Sequence, residues 1–173
     1  SEIFEVRDRL AHQGNEILSV YAGCSGFDYY YAVHLVSMLQ GLLGPGITSA
    51  RQLGTDPWRV ELAWVSGQTA IIEVAPPDHS VPFGMSIMTD KGWEQRVITD
   101  IQRLYRDFLE TVVPGLLQGV SPVPVKELLE VELALMAGLT SMERGGSWVR
   151  LSELGPKSPV YDGSAFFNQY MER

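Results

Sequence analysis

The sequence predicts an α+β fold in which a mainly antiparallel, open sheet is covered by helices on one face. Two observations predict it. Short alternating or β-branched segments crowd the centre of the chain, and segments with apolar residues at helical spacing flank them. The second face of such a sheet also needs a cover. If the alternating residues of one strand faced solvent, they would form an interaction patch: Trp58, Val60, Leu62 and Trp64.

The first elements are a helix, a strand and a second helix. In the second helix the apolar residues recur every three or four positions, Asp28 is placed to cap its start, and Gly44 is placed to end it. The predicted bounds are Glu5–His12 for the first helix, Ile17–Ala22 for the strand and Tyr31–Leu42 for the second helix.

Five extended segments follow, each separated from the next by a turn. Gly67-Gln68 turns one strand into another at hairpin distance, and Asp90-Lys91-Gly92 does the same further on. These segments predict a meander of antiparallel strands. Their bounds are Thr48–Leu53, Trp58–Val65, Thr69–Ala75, Phe83–Thr89 and Trp93–Val97.

Two amphipathic helices and a short edge strand complete the predicted domain. Their bounds are Ile98–Val113, Val125–Glu143 and Trp148–Leu151. The tail, residues 155–173, is predicted to be loop-like. It contains more aromatic surface than is usually left in water, so we expect it to pack on this domain or on a partner subunit: Tyr161, Phe166, Phe167 and Tyr170.

Length and composition exclude several classes of protein. The 173 residues suit one globular domain that needs no disulfide or metal to fold, and Cys24 alone can form neither an intrachain disulfide nor a Cys-based zinc site. The net charge of −8, with basic residues scattered singly, argues against nucleic acid or an anionic membrane as partner. The acidic N-terminus is unlike a signal peptide and no apolar run is long enough for a membrane span, so we expect a cytoplasmic protein.

A candidate site lies at the start of the second helix. His34 follows Tyr30 by four residues and Tyr31 by three, so these rings share one helix face, and Asp28 and Tyr29 precede them. A helix N-terminus lowers the pKa of an imidazole, which favours a neutral His34 that can hydrogen-bond a hydroxyl. The alternative is a partly buried core histidine that is satisfied by a tyrosine hydroxyl.

Two other segments with potentially reactive side chains are weaker candidates for a catalytic or metal-binding site. Asp78-His79 lies in a proline-flanked loop and is most simply solvated. Gly23-Cys24-Ser25-Gly26 contains two nucleophile types but lacks the spacing of a nucleophile elbow, so it is interpreted as a loop that ends a strand beside the site. No metal site is predicted.

Several short motifs occur in an order shared with a known family. Arg7–Gly14 followed by Ile17–Val20 is similar to the segment that leaves a nucleotide-binding domain, and His34-Leu35-Val36 with Leu43-Gly44 is similar to a His-containing helix and its end. From about Phe4 to Leu154 the chain resembles the C-terminal domain of the glucose-fructose oxidoreductase, inositol dehydrogenase and MocA (Gfo/Idh/MocA) family of nicotinamide-dependent oxidoreductases. The later matches are Tyr105, Phe108, Gly119, Pro122–Pro124, Ser141, Gly146, Val149 and Leu151.

The resemblance implies roles for the candidate residues. The family usually carries an Asp four residues before the His, both aimed at the reacting hydroxyl, and Tyr30 stands at that Asp position here. The resemblance therefore implies catalytic roles for His34 and Tyr30, with His34 as the main acid–base group because a phenol accepts a proton poorly at neutral pH. Asp28, Tyr29 and Tyr31 are expected to bind the substrate.

The resemblance also implies what this chain lacks. Family members begin with a Rossmann domain and a catalytic Lys in a Glu-Lys-Pro motif, and neither a Gly-x-Gly-x-x-Gly fingerprint nor that motif occurs here. We therefore expect residues 1–154 to be the substrate-binding and oligomerisation domain of an enzyme that binds NAD or NADP elsewhere. No cofactor is expected on this chain alone, the expected substrate is sugar-like or polyol-like, and the free sheet face is expected to form a homodimer or higher homo-oligomer. The alternative is a stand-alone, non-catalytic binding or assembly module with the same fold.

Overall fold

The computed structural model of the chain describes residues 2–159 and 162–171. The helices are α1 (Glu2–His12), α2 (Asp28–Leu43), α3 (Ile101–Leu117), α4 (Val125–Glu143) and α5 (Gly163–Met171). The strands are β1 (Ile17–Ser25), β2 (Ile47–Thr55), β3 (Trp58–Trp64), β4 (Thr69–Ala75), β5 (Gly84–Thr89), β6 (Gly92–Val97) and β7 (Val149–Arg150). Every helix and strand predicted up to Leu151 is present, which confirms the α+β class, although β7 is shorter than expected because Leu151–Glu153 forms a 3₁₀ helix.

The strands form one open sheet in the order β6-β5-β1-β4-β3-β2-β7. All neighbouring pairs are antiparallel except β1 and β4, which run parallel. The prediction of a simple meander is therefore wrong at one point, because β1 lies between the consecutive strands β4 and β5. The segment between these two strands must cross the end of β1, and this crossing builds the candidate site described below.

Helices α1, α2 and α4 cover one face of the sheet. Helix α2 contacts β1 and β4, α4 contacts β2, β3 and β7, and α1 packs on α2. The alternating residues of β3 face these helices and are at most 5% exposed, so they belong to the core and do not form a surface patch: Trp58, Val60, Leu62 and Trp64. The predicted alternation is confirmed, and its apolar side is the covered side.

Helix α4 approaches the sheet through small residues. A Cβ atom on Gly138 would lie 3.2 Å from Val60 Cγ2, and Ser141 Oγ accepts a hydrogen bond from the backbone N–H of Gln52 at 2.9 Å. Leu128 and Leu129, which belong to the apolar pattern of this helix, are 52% and 54% exposed near its start. Gly138 and Ser141 allow α4 to approach the sheet closely, because bulky side chains at these two positions would hold the helix away from it.

Helix α2 begins at Asp28 itself. Phe27 occupies the N-cap position and makes no side-chain cap, so the predicted capping role of Asp28 is wrong. In α3, by contrast, Asp100 accepts a hydrogen bond from the backbone N–H of Arg103 at 2.9 Å and sets the start of the helix at Ile101. The end also differs from the prediction, because α3 passes through Pro114 and continues to Leu117.

Helix α3 carries the predicted amphipathic pattern, but none of its side chains is buried. Val112 is half-buried, and eight other apolar residues are between 43% and 83% exposed: Ile101, Leu104, Tyr105, Phe108, Leu109, Val113, Leu116 and Leu117. Among the contacts described, its link to α1 is an ion pair between Arg103 and Glu5. The helix therefore forms with its apolar face uncovered.

The tail contains a helix, α5, where a loop was expected. Within it the Phe167 side chain is 60% exposed. Tyr161 and the side chains of Phe166 and Tyr170 lie outside the described residues. In the part of the chain that the structure describes, no helix has the length and apolar character needed to cross a bilayer.

The second face of the sheet carries cross-strand ion pairs. Arg51 Nη2 lies 2.5 Å from Glu61 Oε2, and Arg59 Nη2 lies 2.5 Å from Glu73 Oε2. The guanidinium of Arg51 also stacks over Trp148, with its Cζ 4.9 Å from the ring centroid. The side chains of Arg51 and Arg59 are each 38% exposed, so this face of the sheet is open to solvent along these strands.

Candidate active site

The site forms where β1 gives way to α2. Ser25 Oγ donates to the carbonyl oxygen of His79 at 2.9 Å and accepts from the backbone N–H of Val81 at 2.9 Å. The backbone N–H of Gly26 donates to the carbonyl oxygen of Ala75 at 3.0 Å. These bonds fix the segment between β4 and β5 beside the first turn of α2, and they place Phe83 within reach of the α2 side chains.

An aromatic cluster occupies this junction. The Tyr31 ring stacks on Phe83 with a centroid separation of 5.9 Å and an interplanar angle of 9°. It also lies directly over Gly26, where a Cβ atom would be 2.3 Å from Tyr31 Cγ. Glycine is therefore required at position 26 so that the Tyr31 ring can pack against the backbone.

His34 lies at the edge of this cluster. Its ring meets Tyr30, Tyr31 and Phe83 edge-on, with centroid separations of 6.0, 6.3 and 5.8 Å. The residue is exposed at the surface of the cluster. Partial burial against these rings lowers the pKa of His34, so desolvation is the cause where the helix dipole was expected. The structure therefore does not support the interpretation as a satisfied core histidine.

An open cleft of about 450 Å³ lies between α2 and α4. Tyr29 is only 8% exposed and donates from its Oη to Glu132 Oε2 at 2.7 Å, whereas Tyr30 is 45% exposed. The described residues that line the cleft are Tyr29, Tyr30, Val33, His34, Glu132 and Met136.

The structure brings together only part of the predicted site. His34, Tyr30 and Tyr29 share the cleft, and Tyr31 supports it from the aromatic cluster. Asp28 is exposed in the first turn of α2 and is not among the described residues of the cleft wall; partial burial raises the pKa of its carboxyl group. Sequence reasoning missed Glu132, whose only signal is an acidic position on an otherwise apolar stretch of α4.

The other reactive segments stay outside this chemistry. Cys24 is 2% exposed, and burial raises the pKa of its thiol to about 12, so it is not available as a thiolate nucleophile. His79 Nδ1 lies 3.1 Å from Asp78 Oδ1 in an exposed pair, as expected for a solvated loop. Across residues 2–159 and 162–171, no group of three or more His, Cys, Asp or Glu side chains is arranged to hold a metal ion.

The fold is that of the C-terminal part of Gfo/Idh/MocA-type dehydrogenases, which confirms at the level of fold the resemblance seen in the sequence. No protein-family model and no curated protein sequence matches the chain. The similarity is therefore carried by the structure.

Three solved structures illustrate this likeness. A probable dehydrogenase from Thermotoga maritima is 16% identical with a TM-score of 0.67, over 88% of this chain and 62% of that one. The myo-inositol dehydrogenase from Lactobacillus casei, in complex with NAD(H) and myo-inositol, is 13% identical with a TM-score of 0.67, over 92% and 61%. The WlbA dehydrogenase from Bordetella pertussis, in complex with NADH and UDP-GlcNAcA, is 18% identical with a TM-score of 0.57, over 86% and 59%. The chain thus spans about 60% of the length of the structures it matches.

Proposed function

We propose that this chain is the substrate-binding and oligomerisation domain of an NAD(P)-dependent oxidoreductase that acts on a sugar-like or polyol-like hydroxyl. One observation carries the proposal: His34 and Tyr30 share an open cleft on a fold of the dehydrogenase type. The similar enzyme from Lactobacillus casei was solved with myo-inositol, a polyol, which supports this class of substrate.

His34 is the group best placed to accept or donate a proton at the substrate hydroxyl. Desolvation lowers its pKa, so the imidazole is neutral at pH 7 and one ring nitrogen is free to accept a hydrogen bond. Tyr30, exposed at the cleft with its ring centroid 6.0 Å from that of His34, is the second catalytic candidate, because a phenol can donate a hydrogen bond to the substrate hydroxyl. Tyr31 holds the His34 ring in place from behind.

The residues present do not fit a dinucleotide. The turn from β1 to α2 contains a single glycine, Gly26, and the space over it, where a phosphate would approach, is filled by the Tyr31 ring. We therefore propose that NAD(P) is held by a domain other than the one described. The contribution of the described residues is to bind and orient the hydroxyl and to move its proton.

The open face of the sheet is the proposed contact between subunits. Trp93 and Val97 on the edge strand β6 are 70% and 51% exposed on this face. The ion pairs Arg51–Glu61 and Arg59–Glu73 lie on the same face, separated from β6 by strands β5 and β1. Apolar and charged groups in one plane suit an interface with an apolar part and a polar rim.

Two measurements test the proposal. The isolated chain is titrated with NADH by calorimetry, and we expect no binding in the micromolar range. Micromolar binding would refute the proposal that another domain binds NAD(P). In the full-length gene product, His34→Ala should lower turnover of a polyol substrate by roughly 10²–10⁴-fold if His34 is the acid–base group. Near-normal turnover would give His34 a structural role only.

The stand-alone binding or assembly module is the second candidate, and Tyr30 at the position of the family's Asp favours it. The sequence encoded upstream of Ser1 distinguishes the oxidoreductase from the stand-alone module. A nucleotide-binding segment encoded upstream in the same frame favours the oxidoreductase, and a native start near Ser1 favours the module.

A further inference from the structure

A carboxylate from α4 reaches the start of α2. Glu132 Oε2 accepts a hydrogen bond from Tyr29 Oη at 2.7 Å, between residues that lie 103 positions apart in the chain. The two partners differ in accessibility, since Tyr29 is 8% exposed and Glu132 is exposed. The buried phenol is held by the core, and its hydroxyl therefore holds the carboxylate at the wall of the cleft.

The position of Glu132 gives the cleft a distinct chemistry. Among the described residues that line it, Glu132 is the one acidic side chain, and it faces the same space as His34 and Tyr30. An ionised carboxylate only accepts hydrogen bonds and offers about four lone-pair sites, of which a single tyrosine hydroxyl occupies one. The remaining sites suit a ligand that presents several O–H donors, as a polyol does.

We propose that Glu132 binds hydroxyl groups of the substrate and that Tyr29 is a positioning residue that acts through Glu132. The inference rests on the proposed function, because it concerns the same cleft, and it changes the role of Tyr29, which the sequence predicted to touch the substrate itself. It also sets a preference: uncharged polyols bind better than sugar acids, because a substrate carboxylate would be repelled by Glu132.

The test compares the full chain with three variants and three probes: myo-inositol, glucose and glucuronate. Glu132→Gln keeps an acceptor for Tyr29 and removes the charge, so the fold is retained. We expect it to weaken binding of the uncharged polyols about tenfold, since hydrogen bonds to charged groups are the stronger ones. The matched control, Glu143→Gln, alters an exposed carboxylate on the same helix outside the cleft and should bind as the wild type does.

Two measurements distinguish a substrate-binding role of Glu132 from a purely structural one: the preference for an uncharged substrate, and the coupling between Tyr29 and Glu132. The wild type should bind glucuronate more weakly than glucose, and this difference in affinity should be smaller in Glu132→Gln. Tyr29→Phe should weaken polyol binding in the wild type and have no further effect in the Glu132→Gln background, because both changes act through one group.

Each outcome has one meaning. If the wild type binds a polyol and Glu132→Gln binds it equally well, or if the glucuronate difference is unchanged, the inference is overturned while the proposed function stands. If Tyr29→Phe adds its full effect in the Glu132→Gln background, the positioning role of Tyr29 is overturned. If the wild type binds none of the three probes at millimolar concentration, the proposed substrate class fails, and the inference fails with it.

Discussion

Glu130 joins α4 to the junction between α2 and β2, and its loss should be costly. Its carboxylate accepts hydrogen bonds from the backbone N–H groups of Gly46 and Ile47 at 2.8 and 3.2 Å, and from Gln40 Nε2 at 3.1 Å. In Glu130→Ala the backbone N–H groups of Gly46 and Ile47 lose this acceptor, whereas Gln40 Nε2 keeps its second acceptor, the carbonyl oxygen of Glu127 at 3.0 Å. Each stranded, partly buried donor costs about 1–3 kcal/mol. Because water can reach part of this site, we expect a total in the lower half of the range for two donors, about 2–4 kcal/mol of the free energy of unfolding.

The assay is urea unfolding followed by tryptophan fluorescence. Trp64 is a local reporter, since its Nε1 donates to the carbonyl oxygen of Gly44 at 3.0 Å in the same junction. Glu130→Gln retains one acceptor oxygen and should cost only about 1–2 kcal/mol, so a measurable variant remains if the alanine variant does not fold. Glu143→Ala is the control on the same helix. A Glu130→Ala variant within about 0.5 kcal/mol of the wild type would refute the reasoning, because that is the range of neutral surface substitutions.

Two further predictions concern the site. Gly26→Ala should displace the Tyr31 ring and destabilise the fold by about 1–3 kcal/mol, with loss of near-ultraviolet circular dichroism. The control is Gly155→Ala, whose added Cβ atom meets no atom within 4 Å and should leave the stability unchanged. Equal stability of the two variants would contradict the packing argument. For His34, an NMR titration should give a lower pKa in the folded chain than in the urea-unfolded chain, because the rings around it desolvate the imidazole. The unfolded chain then binds the proton more readily, so stability should fall as the pH drops below the unfolded value of about 6.5, and less so in His34→Gln. An equal or higher pKa in the folded chain would show that desolvation is not the governing effect.

Local pattern was enough to predict most elements, because their signals lie within single segments. The alternation from Trp58 to Trp64 predicts β3 and its buried side correctly, and the helical spacing up to Leu42 predicts α2. The candidate histidine was also found this way, since Tyr30, Tyr31 and His34 share one helix face over a single turn.

The remainder depends on contacts between distant segments. The place of β1 between β4 and β5 follows from pairing across about 50 residues in one direction and about 65 in the other, for example Val20 with Ala70 and with Ile87. Glu132 enters the cleft only because α4 packs beside α2. No periodicity within one segment carries that information, so sequence reasoning named the residues of α2 and missed their partner on α4.

The bare apolar side of α3 has a consequence for how the chain behaves when handled alone. Most helices in proteins owe their stability to a packed face, and α3 has no buried side chain to supply it. We therefore expect its helical content to rise when another surface packs against its apolar side. Leu116 and Leu117 are 69% and 83% exposed. Polar substitutions there should therefore change the solubility and self-association of the chain more than its melting temperature.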